Sequence, residues 1–503
     1  MDAKKDAGVR LLAPQKVKSF EFLNHFISEN PGSIPKASCD SNSVKKLIKN
    51  DILFDVKPEL NTSSYVNVSY EREEEEIALM GLKVNLADQT VYPYSYKMHD
   101  KLINMIARLW NCPDSDNFRE TGVHAGAGTV GSTEACLLAG LALKFRWRAW
   151  YKARSGLTQS EVLRELPNIV ISTCYQAAWE KLIKYMDIDC KFIKPSVNSF
   201  TLEPEAIRDA IDDHTIGVVC IMGNHYAGQY DPVWEINQTV EAVNRERGFQ
   251  VGIHVDAASG GFIAPFQKEV KPWDFRLNNV LSISASGHKY GASSCGTGWV
   301  IWRERKDLSE HVAISVSYLG GQADSYTLNF SRPATGIYVQ YYKFLRYGMD
   351  GYQFCCDEMM EHARLLREGL MAMTYNSIPR FILLDAGNKG CLPVVAAKLN
   401  KTCNLMYNDT DLQKVLSQHS WYVGAYKMQF LNPVTEEKTA LFYDHDQNET
   451  MFRVVIKGNI SLLMVENLLH AIEDSLKYLD NISDMRTLTH LRDMDQHVMS
   501  NHC

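Results

Sequence analysis

Lys289 stands in the stretch Ser284-Ala285-Ser286-Gly287-His288-Lys289-Tyr290-Gly291, directly after a β-branched apolar run. The histidine and the small Ser-Gly step before it can set an amine against a planar group, with a proton-transfer partner at its side. Removal from water lowers an amine's basicity, as Schiff-base chemistry requires. Alone, such a lysine also reads as a surface side chain snorkelling from a strand end. Asp256, in His254-Val255-Asp256-Ala257-Ala258-Ser259-Gly260-Gly261, stands 33 residues earlier, also at a strand end. Its carboxylate can pair with a protonated ring nitrogen or simply cap a turn, and Ala258 is small enough for a flat ring to lie on it. A third stretch, Gly126-Ala127-Gly128-Thr129-Val130-Gly131-Ser132-Thr133-Glu134-Ala135, precedes a strongly helical run. Open backbone N–H groups and hydroxyls at a helix start bind phosphate, although serine there is also an ordinary cap. No Gly-Lys-Ser/Thr follows, so this is not a Walker loop, and no clear strand leads into it. Anion cradle, ring-nitrogen carboxylate and lysine together describe a site for pyridoxal 5′-phosphate (PLP), a coenzyme that works as an electron sink.

The elements that must position these residues are legible in the pattern. Residues 168–172, 217–222, 251–256 and 280–284 read as buried strands; 98–110, 132–151, 176–185 and 204–211 read as helices. Their alternation predicts an α/β layer with a mainly parallel sheet. A helical passage over 335–375 leads to a smaller unit, with strands expected at 380–384, 392–399, 421–429 and 451–457 and helices at 411–418 and 461–479. Residues 1–60 read as a polar arm with one or two short helices, suited to lie on a partner subunit. The acidic run Glu71 to Glu76 reads as a solvated helix start.

Composition narrows the class. The chain has 503 residues, 45% apolar and 22% charged, and a formal charge of −7, which gives no general reason to expect nucleic acid as a partner. Residues 1–10 lack the apolar core of a secretory signal, and no run approaches the roughly 20 residues of a membrane span. Twelve cysteines without a CxxC pair signal neither a zinc cluster nor a disulfide framework, and no metal site is expected. A reducing cytoplasm is the expected compartment.

Long stretches resemble the group II PLP-dependent decarboxylases, and within them the glutamate decarboxylases. They include residues 131–136, 256–262, Trp273-Asp274-Phe275-Arg276-Leu277, 282–291, 298–303, Tyr318-Leu319-Gly320-Gly321-Gln322 and Asn329-Phe330-Ser331-Arg332-Pro333. The likeness is dense from about 90 to 350, thinner beyond, and faint before 80. It implies the type I PLP-enzyme fold: a large domain (61–355) around a seven-stranded, mainly parallel sheet, a smaller α/β C-terminal domain (356–480) and a tail (481–503). The working unit would be at least a homodimer with a shared active site.

The resemblance also implies roles. Lys289 would carry the cofactor as a Schiff base, Asp256 would face the pyridine nitrogen, and Ala258 would line one ring face. Gln176 would stack on the other face, although it also reads as a plain polar residue at a helix start. Ser132, Thr133, Ser286 and His288 would hold the phosphate, joined by Ser331 from the neighbouring subunit. Arg453, in Phe452-Arg453-Val454, would take the substrate α-carboxylate; a lone strand arginine is otherwise more often a surface ion pair. Tyr318 would return a proton to the α-carbon, favouring simple decarboxylation over oxidation to an aldehyde.

Three departures bear on the substrate. His225, in Gly223-Asn224-His225-Tyr226-Ala227-Gly228, replaces the family's threonine near the cofactor's phenolic oxygen. Ser64-Tyr65 is the candidate for the pair that holds a distal carboxylate, but its spacing to later residues is about two longer. Glu180 replaces a family histidine after the stacking glutamine. Asp88, in Asn85-Leu86-Ala87-Asp88, matches a family pocket residue. The leading expectation is decarboxylation of L-glutamate to 4-aminobutyrate; the alternative is another L-amino acid, or a decarboxylation-coupled oxidation. A non-catalytic scaffold is disfavoured by the intact Lys289, Asp256 and cradle. The tail lacks the Trp and lysine cluster of calmodulin-binding tails, so calmodulin is not an expected partner.

Overall fold

The computed structural model describes residue 25 and residues 32–35, 37–309, 312, 314–318, 321–325, 327–385, 387 and 390–493. Two compact units divide the chain, Met1–Leu60 and Asn61–Cys503. The first includes the α-helix Ser41–Asp51, whose N-cap Asp40 accepts from the backbone N–H of Ser43 at 2.9 Å. That helix buries none of its residues.

The second unit is built on a seven-stranded sheet of order β1-β7-β6-β5-β4-β2-β3. Its strands are β1 (Gly126–Thr129), β2 (Asn168–Ser172), β3 (Asp189–Ile193), β4 (Thr215–Ile221), β5 (Gly252–Asp256), β6 (Val280–Ser286) and β7 (Gly298–Trp302). The pairs from β3 through β6 are parallel, and β7 runs antiparallel to both β6 and β1. Every residue of β2, β4, β5 and β6 is buried, as expected when helices cover both faces of a parallel sheet. The Ser132–Ser155 helix supplies part of that cover, packing Leu137, Leu143 and Trp147 against Ile169, Ile171 and Val219. Parallel strands share one direction, so the carboxyl ends of β2, β4, β5 and β6 open on a single crevice, the usual place for a ligand on such a sheet.

Several elements differ from expectation. Gly126–Thr129 is itself a strand, paired with β7; glycine-rich, with no β-branched residue but Thr129, it carries no strand signature. The 335–375 passage forms one run, Thr335–Ala372, broken at Gly348, where φ is 59° and ψ −171°. The 421–429 strand splits into Gly424–Lys427 and Gln429–Leu431, which pair with different partners. Glu74 is not solvated: it lies buried in the Arg72–Gly81 helix and pairs with buried Lys343 at 2.8 Å, the countercharge that lets it leave water. A four-stranded antiparallel sheet follows in the C-terminal region, ordered Phe381–Leu383, Val394–Leu399, Thr450–Val455 and Gly424–Lys427. Arg453 lies in its third strand, opposite Gly424 and Ala396. The tail forms a helix, Met485–Asp493, tied down by Arg492, which forks onto buried Asp411 at 2.7 and 2.8 Å. No helix among the described residues is long and apolar enough to cross a membrane.

Candidate active site

Asp256 closes β5 and is almost fully buried. Both carboxylate oxygens are held: Oδ2 accepts from the indole N–H of Trp179 at 2.7 Å, and Oδ1 from the backbone N–H of Ala258 at 3.1 Å. On the neighbouring strand, Ser284 sits in register with Asp256, and β6 ends by leading straight into Gly287-His288-Lys289. Gly287 is required there, because a Cβ would lie 2.5 Å from Gln340 Oε1 and 2.8 Å from Trp299 Nε1. The Lys289 ammonium donates to Ser259 Oγ at 3.1 Å and hangs 5.2 Å from the centre of the Tyr65 ring. Burial pulls its pKa below the ordinary lysine value; Asp256 opposes that fall and Arg453 adds to it. A buried amine of reduced basicity is suited to bonding with a carbonyl carbon.

The cradle forms beside it. Ser132 and Thr133 begin the long helix after Gly131, whose φ of +154° favours glycine. A Cβ at Gly131 would point into the space before the His288 ring, 3.8 Å from its Cε1. His288 Nδ1 donates to the Thr297 carbonyl at 2.8 Å, which turns the other ring edge away from that bond, and burial lowers the ring's pKa. Ser286 Oγ is buried with no hydrogen-bond partner in the protein. Since buried hydroxyls rarely go unpaired, that atom marks a place for an oxyanion. The glycine cradle, the orphan hydroxyl, the buried amine and the fixed carboxylate fit PLP.

Gln176 is the N-cap of the Ala177–Tyr185 helix at the end of β2, but its side chain makes no capping bond and stays half-buried. Ala258 is half-buried beside Asp256, and its carbonyl accepts from the Ser286 backbone N–H at 3.1 Å, tying the two strand ends together. His225 follows β4 and packs on Tyr226, ring centres 3.9 Å apart. Burial, then the charges of Arg453 and Lys289, hold its pKa well below the ordinary histidine value, and Nδ1 has no partner. Arg453 donates from Nη1 to the His225 carbonyl and from Nη2 to the Ser63 carbonyl at 2.6 Å. Its guanidinium lies 5.0 Å from the Tyr65 ring centre and 5.9 Å from that of Tyr426. Arg453 is therefore not a surface ion pair.

Other expected residues sit differently. Ser64 Oγ accepts from the Val66 backbone N–H at 3.2 Å, a local turn bond; its neighbour Tyr65 is the residue that faces Lys289 and Arg453. Glu180 is taken up by Lys184 at 2.8 Å, one helical turn on. Asp88 and Ser331 belong to a second group around Asn85. The Asn85 amide donates to Ser331 Oγ at 3.3 Å, Ser331 is exposed, and Asp88 Oδ1 is buried without a partner. The backbone of Tyr318 belongs to the hairpin Ile314–Tyr318 and Gly321–Ser325; its side chain, and Leu319 and Gly320, lie outside the described residues. The sequence carried no role for Trp179 or Ser259, and it offered Tyr65 only as half of a distal-carboxylate pair, not as the ring beside Lys289 and Arg453. Trp179, three residues after Gln176 on an amphipathic helix, carried a signal only of burial.

The chain was compared with known proteins. Residues 41–389 match the family described as pyridoxal-dependent decarboxylase conserved domain. Glutamate decarboxylase of Petunia hybrida is 35% identical over 455 residues, covering 90% of this chain and 84% of that protein. Glutamate decarboxylase of Lactococcus lactis subsp. cremoris is 34% identical, covering 89% and 90%. Among solved structures, Lactobacillus brevis glutamate decarboxylase superposes with a TM-score of 0.80 at 34% identity, covering 90% of this chain and 96% of that one. Oryza sativa TDC with PLP and tryptamine shares the fold, with a TM-score of 0.72 at 15% identity, covering 90% and 92%. With a match over so much of its length, and with residues that fit the coenzyme, the chain belongs to the pyridoxal-dependent decarboxylases and takes PLP as its cofactor.

Proposed function

We propose that this enzyme removes the α-carboxylate of L-glutamate, giving 4-aminobutyrate and CO₂. The observation that carries the chemistry is the buried Lys289 amine beside the doubly held Asp256, at the adjoining ends of β6 and β5. The choice of glutamate rests on 34–35% identity to glutamate decarboxylases over about nine-tenths of the chain.

When bound, PLP supplies an electron-poor ring that accepts the electron pair left behind by CO₂. Lys289 would hold the coenzyme through its buried amine of lowered basicity. Asp256 would pair with the ring nitrogen and favour its protonated form, while Gln176 and Ala258 would line the two ring faces. Ser132, Thr133, Ser286 and His288 hold the phosphate, with Ser331 contributed by a second copy of the chain. Arg453 fixes the substrate α-carboxylate, which must compete with the carbonyls of His225 and Ser63 for its donors. His225 would stand near the cofactor's phenolic oxygen, where burial, holding its pKa well below the ordinary value, would keep its ring from adding charge. Ser64, with Tyr65, would serve the distal carboxylate, Asp88 would line the substrate pocket, and Tyr318 would return the proton to the α-carbon.

The working unit is at least a homodimer. Leu79, Met80, Leu82, Leu328, Phe330, Leu345 and Met349 all lie exposed, and the Thr335 hydroxyl, which donates to the Ala78 carbonyl at 3.2 Å, joins the helix carrying Leu79 and Met80 to the one carrying Leu345 and Met349. Exposed apolar side chains in this number suit a protein partner better than water, and Phe330 immediately precedes Ser331 in the chain. The division at residues 355 and 480 into large domain, small domain and tail, and a cytoplasmic location, complete the reading; the described cysteines are free thiols, as a reducing compartment keeps them.

Incubating purified holoenzyme with each common L-amino acid, while following CO₂, amine and aldehyde, tests the proposal. Glutamate should give CO₂ and 4-aminobutyrate in equal amounts without aldehyde. Turnover of another amino acid with glutamate inert, or aldehyde as the main product, would overturn it.

A further inference from the structure

Trp179 is fully buried in the first turn of the Ala177–Tyr185 helix, and its N–H reaches Asp256 Oδ2 at 2.7 Å. The terminal torsion of an aspartate is broad when nothing holds it. Here the indole and the Ala258 N–H grip one oxygen each, so the carboxylate plane is fixed from two separate elements. The indole is itself held. His254, two residues before Asp256 and on the same face of β5, packs against it with ring centres 5.2 Å apart and planes at 57°. The two nitrogens of His254 bond to the hydroxyls of Ser282 and Ser284 at 2.8 and 3.0 Å, and Ser284 Oγ also meets Cys136 Sγ at 3.4 Å. Burial pushes the His254 pKa down to about 3, so at neutral pH it brings no charge to the arrangement.

We propose that Trp179 is a positioning residue for the reaction: its indole N–H sets the plane of the Asp256 carboxylate toward the ring nitrogen of bound PLP. This rests on the role given to Asp256 above. Were the indole only a space-filling core residue, its nitrogen would not matter.

The measurements are PLP affinity, by titrating apoenzyme and following the visible band of the lysine-bound coenzyme, the pH profile of that band, and kcat and KM. Trp179→Phe is expected to weaken PLP binding by roughly ten- to hundredfold, the value of one hydrogen bond to a charged group. The band's pH profile should shift, and kcat should fall more than KM rises. Trp147→Phe, which removes another buried indole donor that bonds the Asp213 carbonyl, should leave PLP affinity within about twofold, since that bond lies outside the proposed site. In an Asp256→Asn background, Trp179→Phe should cause no further loss, because the two act as one unit. Benzothienylalanine at position 179, which keeps the ring and replaces the N–H by sulfur, should reproduce the loss and guards against a Phe variant that fails to fold. Equal losses with and without Asp256, or unchanged affinity and band with benzothienylalanine, would overturn the positioning role. If Asp256→Asn alone left affinity, band and turnover intact, the Asp256 reading would fall first and the proposal with it.

Discussion

Arg453 spends both terminal guanidinium nitrogens on backbone carbonyls, that of His225 and, at 2.6 Å, that of Ser63. One side chain thus ties the loop after β4 to the segment carrying Tyr65, and does so from another sheet. The same donors form the planar fork that suits a carboxylate, so a substrate carboxylate held there would compete with the protein backbone for them.

Replacing the fork tests that competition. Arg453→Lys keeps a positive charge but offers one compact ammonium. It is expected to lower kcat/KM for glutamate by roughly ten- to hundredfold and to lower Tm by several degrees through lost bridging. Steady-state kinetics and calorimetry on the holoenzyme check both, and an unchanged kcat/KM would remove Arg453 from the substrate site.

Gly131 offers a probe of the cradle. Its positive φ strains any other residue, and a Cβ would enter the space before His288. Gly131→Ala should weaken PLP binding about tenfold or more, for a strain of about 1–3 kcal/mol plus lost room for the phosphate. Apoenzyme titration with PLP reads the effect, and pyridoxal lacking the phosphate should be less affected.

Acid stability should carry the mark of His254. Its folded pKa of about 3 lies below the unfolded value near 6.5, so the unfolded chain binds a proton that the folded chain refuses. Stability from this residue is complete above about pH 6.5 and falls as pH drops toward 3. Between pH 7 and pH 5 the loss is roughly 2 kcal/mol. Denaturant unfolding of apoenzyme at both pH values should show wild type losing about that much more than His254→Asn.

The exposed apolar side chains predict an assembly-dependent enzyme. Leu345→Glu together with Met349→Glu puts two charges among them, at positions about 60% exposed in the single chain. Sedimentation should report monomers in place of dimers, with activity lost at low protein concentration. A variant that stays dimeric and active would relocate the interface.

The sheet was legible because its strands β2, β4, β5 and β6 are short buried runs separated by helix-length segments, a pattern set by neighbours along the chain. Strand β1 was not: its glycines hold no strand propensity, and it exists because β7 offers a partner for its backbone. The burial of Glu74 escaped for the same reason, since it depends on Lys343 from a distant helix. In the site, Lys289, Asp256 and the Gly131 turn were readable as residue types placed at strand and helix ends. Trp179 was not, and Tyr65 was read for a different task, because an aromatic residue in a sequence announces burial and not what its edge will touch.

By itself the sequence determined that an amine, a carboxylate and an anion cradle occur at element ends in a parallel layer, since alternation and end signals are local. Only the tertiary structure decided that Trp179 grips Asp256, that Tyr65 lies between Lys289 and Arg453, and that Arg453 is committed to backbone carbonyls. The bond from Arg453 to Ser63 spans 390 residues of chain. Contacts of that range depend on how sheets and helices stack, and no spacing along the chain encodes the angle of that stacking.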